Sequence, residues 1–291
     1  MIKLVYWSSS ALRYKEFAKT GFKLSAIGMG TYYDPMWIML AMLFGIQRGR
    51  ESKLKALEAG QDSGINFIDT AEIYRSETIV ADAIAGRKRD DIFVASKVWS
   101  NHLKPEALAK ACKKSLERLH TPYIDLYQIH FPSSRVPIKE TMGTMEDLLE
   151  KGMIRSIGIS NFSYAQLVEA VEAMKKHEIS SVQLNYNLAH RDVEKEILPY
   201  CEKEKIALIA YYPLGHGKLA RDTRGIKEVV SNRAGKISPP QVALGWLTTR
   251  SDCVYPIPRA STIDHVKEDA LAGDIVLSHE EMEILDKHYP R

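Results

Sequence analysis

The stretch INFIDTAEIY, residues 65–74, combines a short apolar strand with two polar side chains that follow it. The apolar and β-branched residues at its start favour a buried β-strand. Asp69 ends this strand, and Tyr74 lies five positions further on, where the chain turns away. An acid and a phenol at the carboxyl end of a buried strand are typical of the face of an α/β barrel that carries chemistry.

The same alternation of strand and helical segment extends along the chain on both sides of this stretch. In PEALAKACKKSLERL (105–119) apolar residues recur at intervals of three and four, which predicts an amphipathic helix. Mostly apolar strands that alternate with helices predict a parallel sheet, and eight such units predict a closed barrel. The eight strand candidates are AIGMGT (26–31), INFID (65–69), IFVASKV (92–98), IDLYQIH (124–130), IRSIGIS (154–160), SVQLNY (181–186), IALIAY (206–211) and CVYPIP (253–258).

Two segments lie outside the eight units. We predict an N-terminal β-hairpin, with strands near either LVYW and YKEFA or KEFA and KLSA, and a last helix at SHEEMEILDKHY (278–289). The pattern gives no indication of a linker or an internal repeat. The sequence therefore predicts an α/β fold, a single (β/α)8 TIM barrel domain over residues 1–291, with a short N-terminal β-hairpin and a C-terminal helix.

Charge and cysteine content argue against several classes of protein. The 291 residues include 40 Lys and Arg and 37 Asp and Glu, a formal net charge of +3 without long blocks of one sign, so we expect no nucleic-acid partner. Three scattered cysteines without paired spacing indicate neither a disulfide framework nor a zinc site. We therefore expect a protein of the reducing cytoplasm, and the N-terminus does not resemble a signal peptide.

The most apolar stretch of the chain is PMWIMLAMLFGI, residues 35–46. A helix that spans a bilayer needs about 20 residues, so we expect no membrane partner. Two interpretations of the segment stay open. It is either a packed helix or loop of the domain, or a lid over a ligand or a contact between subunits.

The carboxyl ends of the predicted strands carry a set of polar side chains. In a (β/α)8 barrel these ends meet at one face, where the chemistry gathers. Taken singly, each residue also has a structural interpretation: an acid can cap a turn, a histidine can be a hydrogen-bonded core residue, and a tyrosine can be packing. Their convergence favours a site. The residues are Asp69, Lys97, His130, Ser160, Asn161, Gln183, Asn185 and Tyr211.

Asp69, Lys97 and His130, together with Tyr74 on the turn after its strand, suit a proton-transfer group. A free tyrosine has a pKa of about 10, too high for an efficient acid near neutrality. We predict that the Lys97 cation lowers the pKa of Tyr74 and that the Asp69 carboxylate keeps Lys97 charged. His130 can donate a hydrogen bond to a carbonyl oxygen. Since no Ser or Cys nucleophile with a neighbouring base is evident, the attacking group is external, and a hydride from a nicotinamide would complete the reaction.

Seven ordered motifs resemble those of the aldo-keto reductases: FIDTAEIY, ASKVW, DLYQIHFP, GISNF, VQLNYN, AYYPLGHGKL and PIPRAS. The likeness begins at KTGFKLSAIGMGT (19–31) and covers about nine-tenths of the chain. The resemblance implies a TIM barrel and a carbonyl reductase that uses NADP(H), acts reversibly as an alcohol dehydrogenase and needs no metal. It also implies that Asp69, Tyr74, Lys97 and His130 are catalytic.

The same resemblance implies a cofactor site along the barrel rim. Ser160, Asn161 and Gln183 match residues that hydrogen-bond the nicotinamide carboxamide, and Tyr211 matches the aromatic side chain that stacks on the ring. In PLGHGKL (213–219) the two glycines allow close approach to a pyrophosphate. The full implied cofactor set is Thr31, Asp69, Ser160, Asn161, Gln183, Tyr211, Pro213, Leu214, Gly215, Gly217, Ile257, Pro258, Arg259, Ser261, His265, Glu268 and Asp269.

The segment PIPRASTIDHVKEDA (256–270) bears on the choice of cofactor. Arg259 stands where many relatives that prefer NADP(H) have lysine, and a guanidinium binds a phosphate well. His265 and Asp269 stand where such relatives often have arginine and asparagine, and both changes weaken phosphate binding. We expect NADP(H), with NAD(H) left open. A solvent-facing arginine without a ligand is the structural alternative for Arg259.

Substrate contacts are implied at Tyr32, Trp99, His130 and Phe131, which suggest an aromatic-walled pocket for uncharged aldehydes or ketones. The short C-terminal tail predicts an open pocket with broad selectivity. Relatives are often monomers, and the 35–46 segment leaves an oligomer contact open. Two other functions also stay open: an NADP-binding sensor with little turnover, and a barrel enzyme that uses Lys97 as a Schiff base.

Overall fold

The computed structural model describes residues 12–33, 36, 38–40, 49–221 and 224–291. Most of the apolar 35–46 segment and the LVYW strand candidate lie outside the described residues. Among the described residues, none of the helices has both the length and the apolar composition that a bilayer crossing requires.

The described strands form two sheets. The first two strands pair antiparallel, and the other eight lie side by side in chain order as one parallel sheet. All eight predicted barrel strands are confirmed, with ends that differ by a few residues. The strands are β1 (Tyr14–Glu16), β2 (Lys23–Ser25), β3 (Met29–Gly30), β4 (Phe67–Asp69), β5 (Phe93–Val98), β6 (Leu126–Ile129), β7 (Ile157–Ser160), β8 (Ile179–Asn185), β9 (Ala207–Tyr211) and β10 (Val254–Pro256).

Backbone hydrogen bonds between the first and last strands of the parallel sheet close it into a barrel. The Gly28 amide donates to the Pro256 carbonyl at 2.9 Å, and the Gly30 amide donates to the Pro258 carbonyl at 2.8 Å. A β-carbon at Gly30 would lie 2.9 Å from the Ile257 carbonyl oxygen, so the close approach of the two chain segments requires glycine.

Helices follow the barrel strands on the outside, as the alternating pattern predicts. The helix expected at 105–119 begins at Pro105 and ends at Leu119. The helix Gly225–Asn232 was not predicted, because its eight residues hold only a short apolar stripe and begin with glycine. The α-helices whose bounds the structure describes are α1 (Arg50–Asp62), α2 (Glu77–Ile84), α3 (Pro105–Leu119), α4 (Ile138–Glu150), α5 (Tyr164–Ala173), α6 (Ile197–Glu204), α7 (Gly225–Asn232), α8 (Pro239–Arg250), α9 (Ile263–Ala272) and α10 (His279–His288).

The N-terminal hairpin closes the amino-terminal end of the barrel. Its strands match the second of the two predicted pairings, and Phe17 after β1 is fully buried. The Phe17 ring packs against Phe93 at 5.1 Å, Tyr255 at 5.3 Å and Phe67 at 6.3 Å between ring centroids, all near the amino-terminal ends of their strands. Apolar side chains therefore fill this end, and the polar site lies at the other.

Candidate active site

A buried ion pair joins two neighbouring strands at the carboxyl-terminal face. Lys97 on β5 donates a hydrogen bond of 2.5 Å to Asp69 Oδ2 on β4 and one of 2.9 Å to the Thr70 carbonyl. The Lys97 side chain is fully buried and that of Asp69 is 3% exposed. Burial lowers the pKa of Lys97, and the adjacent Asp69 carboxylate opposes that shift. Asp69 therefore supports the charged form of this lysine.

Tyr74 lies over this pair and beside His130. It ends a short 3-10 helix, Glu72–Tyr74, that follows β4. The Lys97 ammonium is 5.0 Å from the centre of the Tyr74 ring, and the Tyr74 hydroxyl is 3.3 Å from His130 Nε2, within hydrogen-bond distance. The structure thus brings together all four side chains of the predicted proton-transfer group.

The net shift of the Tyr74 pKa is upward, opposite to the predicted lowering. Burial raises the pKa of Tyr74 well above its ordinary value, and the Asp69 carboxylate and the nearby Tyr212, Tyr32 and Tyr211 raise it further. Tyr74 is therefore a neutral phenol throughout the physiological range, which keeps its proton available for donation.

His130 is neutral for the same reason. Burial, together with the Lys97 charge, lowers the pKa of His130 to about 3. Its Nδ1 atom is buried and has no hydrogen-bond partner among the described residues. A neutral imidazole carries one proton, and Nε2 faces the Tyr74 hydroxyl. With the proton on Nε2, the ring can donate a hydrogen bond to the oxygen of a substrate bound beside that hydroxyl.

Two buried glutamine amides hold the other oxygen of Asp69. Gln183 Nε2 on β8 donates to Asp69 Oδ1 at 2.8 Å, and Gln128 Nε2 on β6 lies 3.4 Å from the same atom. Gln183, implied as a carboxamide ligand, therefore contacts the ion pair directly in this structure. Gln128 was missed, although a polar residue in an apolar strand two positions before His130 indicated it.

The remaining polar groups implied for the carboxamide form one hydrogen-bonded row. Ser160 Oγ donates to the Gln183 carbonyl at 3.0 Å, and Asn161 Nδ2 donates to Ser160 Oγ at 3.0 Å and to the His130 carbonyl at 2.9 Å. The Tyr211 hydroxyl donates to Asn161 Oδ1 at 2.8 Å. The row fixes the amide of Asn161 and the ring of Tyr211 beside His130, so a planar amide ligand would meet donors and acceptors in set positions.

The loop after β9 is compact and bonded to itself. Gly215 and Gly217 have left-handed backbone angles, with φ of 55° and 80°. Their amides donate to the Tyr212 and Leu214 carbonyls at 2.9 Å each, so these two N–H groups are occupied within the loop. Pro213 is buried and Leu214 is half-buried. The glycines thus give the loop its tight path along the rim.

The residues implied for the adenosine end of a cofactor lie after β10 and on α9. Arg259 is exposed, and its Nη1 donates to the Tyr33 carbonyl at 3.4 Å. Ile257 and Pro258 are buried against β3, while Ser261 accepts a hydrogen bond from Ser52 Oγ at 3.3 Å. His265 lies in the first turn of α9, whose cap is Thr262.

Two further members of this set have roles that their burial decides. Burial, and then the neighbouring Glu268 charge, raises the pKa of Asp269 to about 8, so this acid is largely protonated near neutrality. The expected repulsion of a phosphate by Asp269 is therefore reduced.

Thr31 is fully buried, and its hydroxyl bonds the Asp69 carbonyl at 3.0 Å and Ser76 Oγ at 2.9 Å, beneath the ion pair.

Aromatic rings surround the Tyr74 hydroxyl on both sides. Trp99 packs edge-on against His130 at 5.3 Å, and Phe131 stacks on His130 at 5.1 Å. On the other side Tyr32 packs edge-on against Tyr74 at 5.0 Å. All three residues implied as substrate contacts besides His130 therefore pack around the Tyr74–His130 pair and form an aromatic wall there.

Tyr212 and His216 extend this wall and were not predicted. Tyr212 packs edge-on against Tyr32 at 6.1 Å and contacts the His216 ring at 3.8 Å. Burial and a hydrogen bond with Tyr32 raise the pKa of Tyr212 to about 12. The two adjacent tyrosines in AYYPLG were the one sequence feature that indicated an aromatic residue here. The sequence does not reveal which of the two rings packs against Tyr32.

Comparisons with known proteins agree with this geometry. The sequence model of the Aldo/keto reductase family matches residues 41–290. Methylglyoxal reductase YeaE from Escherichia coli strain K12 is 34% identical over 273 residues, which cover 92% of each chain. The crystal structure of an aldo/keto reductase from Klebsiella pneumoniae in complex with NADP and acetate is 33% identical, with a TM-score of 0.83 and 95% of each chain covered. The thermostable aldo-keto reductase Tm1743 gives a TM-score of 0.83 at 33% identity, over 94% of this chain and 99% of its own. This chain belongs to the aldo-keto reductase family.

Proposed function

We propose that the protein reduces small aldehydes and ketones to alcohols with NADP(H), and catalyses the reverse oxidation of alcohols. The observation that carries the proposal is a neutral Tyr74–His130 pair, 3.3 Å apart, above the buried Asp69–Lys97 ion pair. The relatives compared are reductases, one of them in complex with NADP. No observation favours the sensor alternative. Full burial of Lys97 with two hydrogen bonds disfavours a Schiff base.

Residues along the rim fit a dinucleotide. Ser160, Asn161 and Tyr211 provide hydrogen-bonding groups and a flat ring at one end, and Arg259 provides an exposed cation at the other. In support, Ser160 ends β7 and Tyr211 ends β9, while Asn161 follows β7 and Arg259 follows β10 by three residues, all on the carboxyl-terminal side of the sheet. A bound reduced nicotinamide would supply the hydride for the carbonyl carbon. An exposed guanidinium suits a 2′-phosphate, which supports NADP(H) over NAD(H).

The protein groups complete the reaction at the oxygen. His130 Nε2 donates a hydrogen bond that polarises the carbonyl and fixes its orientation. The Tyr74 hydroxyl then delivers its proton to the same oxygen as negative charge develops there. Lys97, held ionised by Asp69, stabilises the phenolate that Tyr74 becomes. In the reverse direction Tyr74 accepts the proton of the alcohol.

Small carbonyl compounds suit the aromatic wall around the Tyr74 hydroxyl. Tyr32, Trp99, Phe131 and Tyr212 present flat, largely uncharged surfaces around the Tyr74 hydroxyl. Since the relative from Escherichia coli is named a methylglyoxal reductase, we propose α-oxoaldehydes as the first substrate class to examine. Broad selectivity among uncharged aldehydes is expected from walls that offer contact area more than specific hydrogen bonds.

Balanced charge and three free cysteines support a cytoplasmic enzyme that binds neither nucleic acid nor membrane, and we propose a monomer. Light scattering after gel filtration measures its mass directly.

Turnover is tested with NADPH and NADH against methylglyoxal, aromatic aldehydes, ketones and sugars. Failure of every carbonyl with both cofactors would refute the proposed reaction.

A further inference from the structure

Glu72 connects the turn that carries Tyr74 to the strand exit that follows Lys97. Its Oε1 atom accepts a hydrogen bond from the Trp99 amide and lies 3.0 Å from His102 Nδ1. The Glu72 side chain is only 11% exposed, whereas that of His102 is 50% exposed. Because Trp99 and His102 are the two ends of one turn, closed by the His102 amide on the Trp99 carbonyl at 2.9 Å, a single carboxylate holds the whole turn.

These contacts close a ring around the proposed proton donor. Glu72 shares a 3-10 helix with Tyr74, and it bonds the amide of Trp99. The Trp99 ring packs edge-on against His130 at 5.3 Å, and His130 Nε2 is 3.3 Å from the Tyr74 hydroxyl. A displacement at Glu72 would therefore move both members of the Tyr74–His130 pair, one through the chain and one through the indole.

The turn that carries Tyr74 is a single short helical turn. It is three residues long, has no side-chain cap, and ends at Arg75 with a left-handed φ of 59°. A short 3-10 helix has poor internal hydrogen-bond geometry, so an external hydrogen bond contributes to its position. Hydrogen bonds to a charged group contribute about 1.5–3 kcal/mol, more than neutral ones.

We infer that Glu72 is a positioning residue for the proposed reaction: its carboxylate clamps the Tyr74 turn to the Trp99–His102 turn and so sets the Tyr74–His130 distance. The inference rests on the proposed role of Tyr74. Glu72 does not touch the reacting atoms in this arrangement. It acts through the two side chains that do.

The test compares Glu72→Ala, which removes the clamp, with Glu72→Gln, which keeps an acceptor oxygen for the Trp99 amide. Glu106→Ala serves as the control, because Glu106 is an exposed acid in the first turn of α3, near the same rim, without a described contact to either turn. We expect Glu72→Ala to lower kcat about 10-fold to 100-fold, since displacements of about 1 Å cost that much. NADPH affinity by fluorescence titration should stay within about twofold.

Rescue and coupling separate positioning from a general structural role. Glu72→Gln should regain most of kcat. In a Tyr74→Phe background Glu72→Ala should cause a much smaller fractional loss than in the wild type, because the Tyr74 hydroxyl, one of the two groups that the clamp positions, is already gone. Equal fractional losses in both backgrounds, or an unchanged kcat in Glu72→Ala, would overturn the inference. Wild-type turnover, measured alongside, reports on the proposed reaction separately.

A second measurement does not depend on activity. Amide hydrogen exchange followed by mass spectrometry should show faster exchange in peptides covering residues 70–76 and 98–103 in Glu72→Ala, and unchanged exchange there in Glu106→Ala. Unchanged exchange in both variants would contradict the clamp even for an enzyme whose substrate is unknown.

Discussion

The Lys97 ammonium and the Asp69 carboxylate are 2.5 Å apart in a barrel interior that excludes solvent from both. A buried pair of this kind is costly to break on one side, because the partner is left as an uncompensated charge. Lys97→Met alone should therefore destabilise the protein by about 3–5 kcal/mol, and adding Asp69→Asn should recover part of that loss. Urea unfolding of the two single variants and the double variant measures the coupling. Additive effects would show that the two groups are independent.

Removal of the Tyr74 hydroxyl should abolish most carbonyl reduction. General acid catalysis contributes about 10²-fold to 10⁴-fold, so Tyr74→Phe is expected to lower kcat by that range. The ring contacts with Tyr32 and His130 persist, so NADPH affinity should hold. Steady-state kinetics together with a fluorescence titration checks both parts. Full turnover in this variant would assign the proton to another group.

Stability in mild acid should depend on His130. Its pKa is lowered from 6.5 to about 3 in the folded protein, so the unfolded chain binds the proton more readily. Above about pH 6.5 this group therefore leaves the free energy of unfolding unchanged. As the pH drops from there toward about 3, the free energy of unfolding falls by at most about 1.4 kcal/mol per pH unit. His130→Gln should flatten that part of the curve. Urea midpoints between about pH 7 and pH 4 measure the slope, and identical slopes would contradict the prediction.

Asp269 should make the stability of the protein depend on pH in the opposite direction. Its pKa is raised from 3.8 to about 8, so the folded protein holds the proton that the unfolded chain has lost. This group therefore lowers stability as the pH rises from about 4 to about 8, and Asp269→Asn should stabilise the protein more at pH 8 than at pH 5. Thermal unfolding at both values is the measurement. The same gain at both would mean that Asp269 does not titrate in this window.

Cofactor preference should rest on Arg259. Arg259→Ala removes an exposed guanidinium, and a charge-assisted hydrogen bond of about 1.5–3 kcal/mol corresponds to a loss of roughly 10-fold to 100-fold in NADPH affinity. NADH lacks the 2′-phosphate, so its affinity serves as the internal control and should change little. Equal losses for both cofactors would assign Arg259 to a group that they share.

Local sequence patterns predicted much of this site, but they did not predict the residues whose role depends on tertiary packing. Asp69, Lys97, His130 and Gln183 were found because each is a polar residue in or directly after an apolar strand, and parallel strands bring such residues to one face. Glu72 and Tyr212 lie on turns, where the sequence has no hydrophobic periodicity from which to predict the direction of a side chain. Their partners are distant in the chain, so only the folded structure reveals them.

Sequence alone determined the eight strand–helix units, because hydrophobic periodicity is a property of neighbouring residues, and with them the set of polar groups at the strand ends. Tertiary structure decided what those groups are chemically. Tyr74 is a neutral phenol, His130 a neutral imidazole and Asp269 an acid protonated near neutrality, because burial by residues far away in the chain removes the water that would stabilise their charged forms.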